Sequence, residues 1–482
     1  MLQRYRTQIA GELRDTTQVR LIRSPFDGEP VAEVGEASAS DLEHALHSAH
    51  EFFEVGARPA THQRADVLDT VARTLRDPQM AAQLAELITR ESGKPVRYAR
   101  AEVARAALTF TLGAGESRRL GGEVLPIDQL PGQEGRLCLF ERVPRGPIAA
   151  ISPFNFPINL VAHKLSPALA VGAPTVLKPA QQSPLTAHAL GAALLEAGMP
   201  GPLLSVLHMQ PEVAEKLVTD ERIAVLSFTG SDSLGFRLKS IAGKKHVLLE
   251  LGGNAPCVID QGVNLAAVIP RVAEACWANA GQVCIKAQRV FVHRAVFADF
   301  VAEFVKYSER VVCGNPLHED TVVGPLIEAR HVQRVLDWVR EAQSGGARLL
   351  LGGHAEGQLV YPTILTNTSE DMRVCRDEVF GPVAVVEEVD SFDSALAACN
   401  RSRFGLQAGI FTPDVGHALK AFRTLRYGAV LINDTPMLRV DNYPYGGVKD
   451  SGIGREGVAF AVEEFTEPKV LILATPPALP GV

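Results

Sequence analysis

The chain has 482 residues, 46% hydrophobic and 21% charged, the balance of a soluble globular protein long enough for two or three cores. A formal net charge of −7 argues against a nucleic-acid or anionic-membrane partner, either of which needs concentrated positive charge. Seven scattered cysteines without a Cys-x-x-Cys pair exclude a disulfide framework and a zinc site, and point to reduced thiols in the cytoplasm.

The N-terminal residues lead into no apolar core of signal-peptide length. After an irregular opening through Gly35, residues 40–118 read as helices. Ser40-Asp41-Leu42-Glu43 has the form of a capping box, and apolar residues then recur at spacings of three and four. From 120 to 140 Gly, Pro and mixed polar residues take over, with an extended arm expected over 136–143. The longest apolar stretch, about 147–177, is interrupted by Asn155, Asn159, His163, Lys164 and prolines, so it does not read as a bilayer span.

Short apolar runs then alternate with helical segments. Strands are expected at 148–152, 175–178, 204–207, 224–228 and 247–251, and an open parallel sheet follows from that alternation. A second alternation gives strands at 257–259, 289–292, near 349, at 383–388, 409–412 and 429–433. Its helices are expected at 265–280, 296–312, 392–401 and 414–425. Two α/β units meeting near 250–256 place a ligand cleft at that junction.

Seven residues carry chemistry along this path, most with a plainer alternative. Asn155, in Ser-Pro-Phe-Asn-Phe-Pro (152–157), is either an oxyanion donor or a turn Asn bonding its own backbone. Lys178 ends a strand, where it either grips a ribose or phosphate or is simply solvated. Gly230 and Ser231 precede a helix expected from Phe236, the place for a pyrophosphate or for an ordinary Ser-capped turn. Glu250 closes an apolar run, so its carboxylate is paired, protonated or facing a cleft. Cys284, in Gly-Gln-Val-Cys-Ile-Lys, is a nucleophile or a buried small hydrophobe. Glu378, in Asp-Glu-Val-Phe-Gly-Pro, reads as a loop carboxylate. Gly-Ile-Gly-Arg-Glu-Gly (452–457) matches a dinucleotide fingerprint literally but follows no apolar strand, and is rejected.

In this order these strings resemble the aldehyde dehydrogenase superfamily along nearly the whole chain, from Ser-Pro-Phe-Asn-Phe-Pro and Glu-Leu-Gly-Gly-Asn-Ala-Pro to Pro-Tyr-Gly-Gly-Val-Lys-Asp-Ser-Gly (444–452). The resemblance implies two Rossmann-like open parallel-sheet domains and a small β oligomerisation arm. By it, residues 1–119 and 143–249 bind cofactor, 250–440 are catalytic, 120–142 and 460–482 form the arm, and 441–459 return between them. A homodimer or homotetramer follows. Cys284 is implied as the nucleophile that forms a thiohemiacetal and then a thioester, Asn155 as an oxyanion donor, and Glu250 as the base for hydrolysis. NAD is the implied cofactor, contacted by Ser152, Phe154, Lys178, Ala180, Gln181, Gly230, Ser231, Leu251, Gly252, Glu378 and Phe380; no metal is implied.

Two departures from the family pattern matter. Gln181 stands where many NAD-preferring members carry Glu, so NADP is also expected to be tolerated. Val283 stands where non-phosphorylating glyceraldehyde-3-phosphate members carry Arg, which disfavours a phosphorylated triose. The strings around 159–164 and Cys284 look most like the branch acting on lactaldehyde, phosphonoacetaldehyde and sulfoacetaldehyde. Arg105, His163 and Arg439 are therefore the candidate contacts to a small polar or anionic aldehyde, with a helix-surface ion pair to Glu102 or another acid the alternative for Arg105. The competing functions are a CoA-acylating semialdehyde dehydrogenase, disfavoured by Glu250, and a catalytically idle scaffold.

Overall fold

The structure, a computed structural model, describes residues 2–474. Five parallel strands occupy the centre of an eight-stranded sheet, in the order Leu204–Val206, Thr175–Lys178, Ile148–Ile151, Val225–Thr229, His246–Glu250. Helices cover both faces, so Ile148–Ile151 and Thr175–Lys178 are buried at every position, and the first reads as an unbroken apolar run. One face packs on Leu68, Phe110 and Leu165, the other on Leu42, Leu46 and Leu217.

The chain starts the parallel part of this sheet at Ile148–Ile151, steps outward on one side, then returns to add Val225–Thr229 on the other. The loops leaving these two neighbouring strands diverge, and such a reversal opens a crevice at the carboxyl ends. The loop at 152–157 and the Gly230–Ser231 turn both lie there.

A seven-stranded sheet follows, from Arg348–Leu351 through Thr363–Thr366, Val383–Val389, Arg289–His293, Pro256–Ile259 and Gln407–Phe411 to Ala429–Ile432. Only its Arg348–Leu351 edge is antiparallel. Its core holds Trp277, Phe300 and Phe304, with Phe304 stacked on the other two at centroid distances of 5.8 and 5.3 Å. The chain crosses between the sheets from Glu250 to Pro256, beside the crevice.

Gly122–Leu125, Leu137–Pro144 and Thr466–Leu473 make a separate three-stranded antiparallel sheet. Gly122 allows its close pairing, since a Cβ there would lie 1.6 Å from the Phe140 carbonyl oxygen. Val124, Val470 and Ile472 on this arm are solvent-exposed.

Several sequence expectations need correction. The opening is not irregular: it holds five short strands, among them Thr7–Ile9, which adds antiparallel to the large sheet. Strands of two to seven residues paired over long distances show too few periods to be read locally. The first capping box lies two residues earlier, at Ser38 and Asp41, where Asp41 accepts from the Ser38 backbone N–H and Ser38 from that of Asp41. Residues 460–465 do not belong to the arm. Val458, Ala461, Val462 and Phe465 have helical spacing, and the Val458–Phe465 helix packs its Val462 and Phe465 into the core of the first sheet. The rest of the arm segment, 475–482, lies outside the described residues.

Candidate active site

The cleft at the strand reversal has a volume of about 650 Å³ and brings together every residue expected to bind cofactor. Ser152, Phe154 and Asn155 enter from the first loop, and Lys178, Ala180 and Gln181 from the strand beside it. Burial and the nearby Arg20 charge lower the Lys178 ammonium to about 8. The helix after Gly230 begins at Asp232, four residues before the sequence suggested, because Asp232 and Ser233 already tolerate its first turn. Ser231 is thereby its N-cap, and its hydroxyl makes no capping bond. A free N-cap at the end of a helix suits a pyrophosphate.

Across the cleft, Leu251 and Gly252 follow the Glu250 strand. A Cβ on Gly252 would meet the Glu378 carboxylate at 2.3 Å, so Glu378 reaches the cleft floor only over a glycine. Its Oε1 accepts from the Gly253 N–H at 3.0 Å, and burial raises its carboxyl to about 7. Phe380 sits at φ 46° and meets Phe154 edge-on at 5.9 Å. These groups fit a dinucleotide: a helix N-terminus, a strand-end lysine, a glycine-floored carboxylate and an aromatic end wall.

Cys284 is presented by a strained turn. After the Leu265–Trp277 helix, Asn279, Ala280 and Gly281 all take positive φ, of 52°, 54° and 67°. A non-glycine residue in this region costs about 1–2 kcal/mol. Gln282 secures the turn: its Nε2 donates to the Pro325 carbonyl at 3.2 Å and its Oε1 accepts from Ile327 N–H at 3.0 Å. Its carbonyl accepts from Asn155 Nδ2 at 2.9 Å, which leaves the second N–H of that amide for another acceptor. The thiol lines both the cleft and a second cavity of about 170 Å³. Burial raises it to about 11, while the Tyr445 hydroxyl and Arg439 act in the other direction.

Glu250 lines the cleft with Cys284. Its two carboxylate oxygens are buried and have no hydrogen-bond partner among the described residues. Burial, reinforced by the Glu456 charge, raises it well above the ordinary carboxylate range, against Arg439 and Lys164. Lys164 and Arg439 bond instead to Glu456, at 3.4 and 2.9 Å.

The second cavity is lined by Lys94, Arg105 and Arg439 together with one carboxylate, Glu102, while the acids paired with the two arginines stand behind them. Arg105 makes a double hydrogen bond to Asp441, at 3.1 and 2.7 Å, rather than pairing with Glu102. Glu102 pairs with Lys94 and accepts from the Ile158 and Asn159 N–H groups. Asp441 and Glu456 do not line the cavity, whereas Lys94, Arg105 and Arg439 do. The Arg439 Nε is buried without a hydrogen-bond partner among the described residues. His163 is the exception among the expected contacts: it does not reach the cavity. It is buried, and its Nε2 meets Asp441 at 2.8 Å. Burial lowers its pKa, so it serves Asp441 as a neutral donor, and with Arg105 it holds Asp441 well below the carboxylate range despite burial. Lys94, Asp441, Tyr445 and Glu456 escaped the sequence reading, because each acquires meaning only from a partner distant in the chain.

Comparison with known proteins agrees with this geometry. The sequence profile described as "Aldehyde dehydrogenase family" matches residues 14–471. A protein named 3-sulfolactaldehyde dehydrogenase, from Priestia aryabhattai, is 40% identical over 473 residues, 98% of either chain. The crystal structure of aldehyde dehydrogenase 21 from Physcomitrella patens, in complex with the reaction product succinate, superposes with a TM-score of 0.96 at 38% identity, covering 99% of this chain and 100% of that one. A glyceraldehyde-3-phosphate dehydrogenase from Methanocaldococcus jannaschii complexed with NADP gives a TM-score of 0.91 at 33% identity, covering 95% of this chain and 100% of that one.

Proposed function

The chain belongs to the aldehyde dehydrogenase family, and we propose that it oxidises a short anionic aldehyde to the carboxylic acid with NAD or NADP. Cys284 attacks the carbonyl carbon as the thiolate, and the Asn155 amide with the Cys284 backbone N–H receives the developing oxyanion. The chemistry supplied by a bound nicotinamide is hydride acceptance, which leaves Cys284 as a thioester. Glu250 then removes a proton from water as it attacks the thioester, releasing the acid and restoring the thiol. Lys178, Gly230, Ser231 and Glu378 hold the ribose and phosphate groups; Ser152, Phe154, Ala180, Gln181, Leu251, Gly252 and Phe380 complete the walls. The exposed apolar residues on the 466–473 strand, which is paired on one side only, support a homodimer or homotetramer joined through this arm.

The observation that carries the substrate class is the set of three cations, Arg439, Arg105 and Lys94, that line the cavity beside Cys284. A carboxylate or sulfonate on the aldehyde gives these cations an acceptor. The named relatives fit: one is named for a sulfonated aldehyde, and another binds a dicarboxylate product. Arg105→Ala is expected to raise KM for succinic semialdehyde or sulfolactaldehyde about 10–100-fold while leaving propanal nearly unchanged, the loss of one charge-assisted hydrogen bond. Asp441 keeps its bonds to His163 and Asn159 in that variant, so the cavity retains its shape. Steady-state kinetics on both aldehyde types decide it, and equal effects on both would sink the anionic reading.

Cofactor choice turns on Gln181. Its carboxamide donates to the Met209 carbonyl and accepts from Arg20 at 3.5 Å, so the position carries no negative charge and has a cation beside it. A 2′-phosphate meets no repulsion there. NADP is expected to bind within a hundredfold of NAD, read by quenching of protein fluorescence; a wider gap in favour of NAD removes the claim.

A further inference from the structure

Cys284 has a hydrogen-bond partner outside the cofactor cleft. The Tyr445 hydroxyl lies 3.1 Å from its sulfur, and Tyr445 is only 2% exposed. A buried phenol normally finds a partner, and here that partner is the thiol. The position is fixed from three directions. The Tyr445 backbone N–H and C=O pair with Glu456 at 2.9 and 2.7 Å. Its ring packs with Val283, Ile285 and Leu406. The Arg439 guanidinium sits 3.7 Å over the ring centroid and is itself bonded to Glu456.

We propose that Tyr445 is a catalytic hydrogen-bond donor that stabilises the Cys284 thiolate, strengthened as a donor by the guanidinium stacked on its ring. With a neutral thiol either atom can donate; once the sulfur loses its proton only the hydroxyl can, and the bond becomes charge-assisted. The cation on the ring face draws electron density from the phenol and sharpens the O–H as a donor. Among the groups that face the sulfur, Arg439 acts with Tyr445, while Glu250 and Glu378 act against the thiolate. Lys94, Arg105, Tyr98 and Tyr443 surround the same cavity or lie beside it. Burial alone disfavours the nucleophilic form, so the donor answers a need the site itself creates. The inference rests on the reading of Cys284 as the nucleophile.

The test is the rate at which iodoacetamide alkylates Cys284 in the full-length protein between pH 6 and 10, followed by peptide mass spectrometry. Tyr445→Phe keeps the ring and the guanidinium stack and removes only the donor. A loss of about one pKa unit of thiolate stabilisation cuts the thiolate tenfold, and the more basic sulfur recovers roughly half of that on a logarithmic scale. Alkylation at pH 8 is therefore expected to slow about three- to fourfold, with the same deficit at every pH below the thiol's midpoint. Replacing Tyr445 by 3-fluorotyrosine, a stronger donor of nearly the same shape, is expected to speed it. A wild-type rate in Tyr445→Phe, or slowing in both variants together as packing damage would give, overturns the proposal. Its failure is separable from that of the nucleophile reading, which falls only if Cys284→Ala retains turnover.

Discussion

Replacing Cys284 with Ala is expected to lower aldehyde-dependent NADH formation by about 10⁴-fold or more, the scale on which a covalent catalyst loses its nucleophile. No other thiol can substitute. Cys138, Cys257, Cys276 and Cys399 are buried, and Cys313 and Cys375 line neither the cleft nor the cavity beside it. Cofactor binding, measured by fluorescence quenching, is expected to survive, because the phosphate and ribose contacts lie on other loops. A variant retaining more than about one hundredth of wild-type turnover would remove Cys284 from the mechanism, and an inactive wild type across an aldehyde panel would favour the idle scaffold.

Glu250→Gln is expected to separate the two half-reactions. Steady-state turnover falls about 10²–10⁴-fold, the range for loss of a general base, while a burst of roughly one NADH per active site remains. The sign of the pH dependence follows from the raised Glu250 carboxyl. Its basic form accumulates only as pH rises through that raised value, so wild-type hydrolysis increases with pH across that window, and the variant lacks the limb. Stopped-flow absorbance at 340 nm reads both phases. Loss of the burst together with turnover would assign Glu250 to acylation instead. Wild-type turnover is expected without added CoA; a strict CoA requirement would establish the acyl-transfer alternative.

The parts of this site legible in the sequence are those that a short segment builds by itself. Parallel strands buried on both faces leave short, mainly apolar runs without polar alternation, so the strands ending at Ile151, Lys178 and Thr229 are readable, and with them the loops that carry Asn155, Lys178 and Ser231. Cys284 stands out through its local string, but the left-handed turn beneath it does not, because one Asn favours positive φ only weakly and Ala280 beside it disfavours it. His163 misled because its motif is local and its partner is not. Only the approach of Asp441, 278 residues away, shows that it serves a carboxylate and not a substrate. Tyr445 and Glu456 look ordinary until folding sets them against Cys284 and Lys164.

The segment that returns between the two sheets has a consequence for biosynthesis. It pairs Val448–Lys449 with Phe404–Gly405 and Gly452–Ile453 with the Glu250 strand, and it brings Glu456 to Lys164. Asp441, just before those strands, joins Arg105 across 336 residues of chain. On the ribosome, Arg105 and Lys164 emerge long before these acids, and burying such cations without counter-charges costs on the order of several kcal/mol each. The helix that carries His163 and Lys164 thus lacks its charged partners until the segment holding Asp441 and Glu456 has been made. Completion of the cation-lined cavity beside Cys284 depends on that returning segment, which also supplies Arg439 and Tyr445.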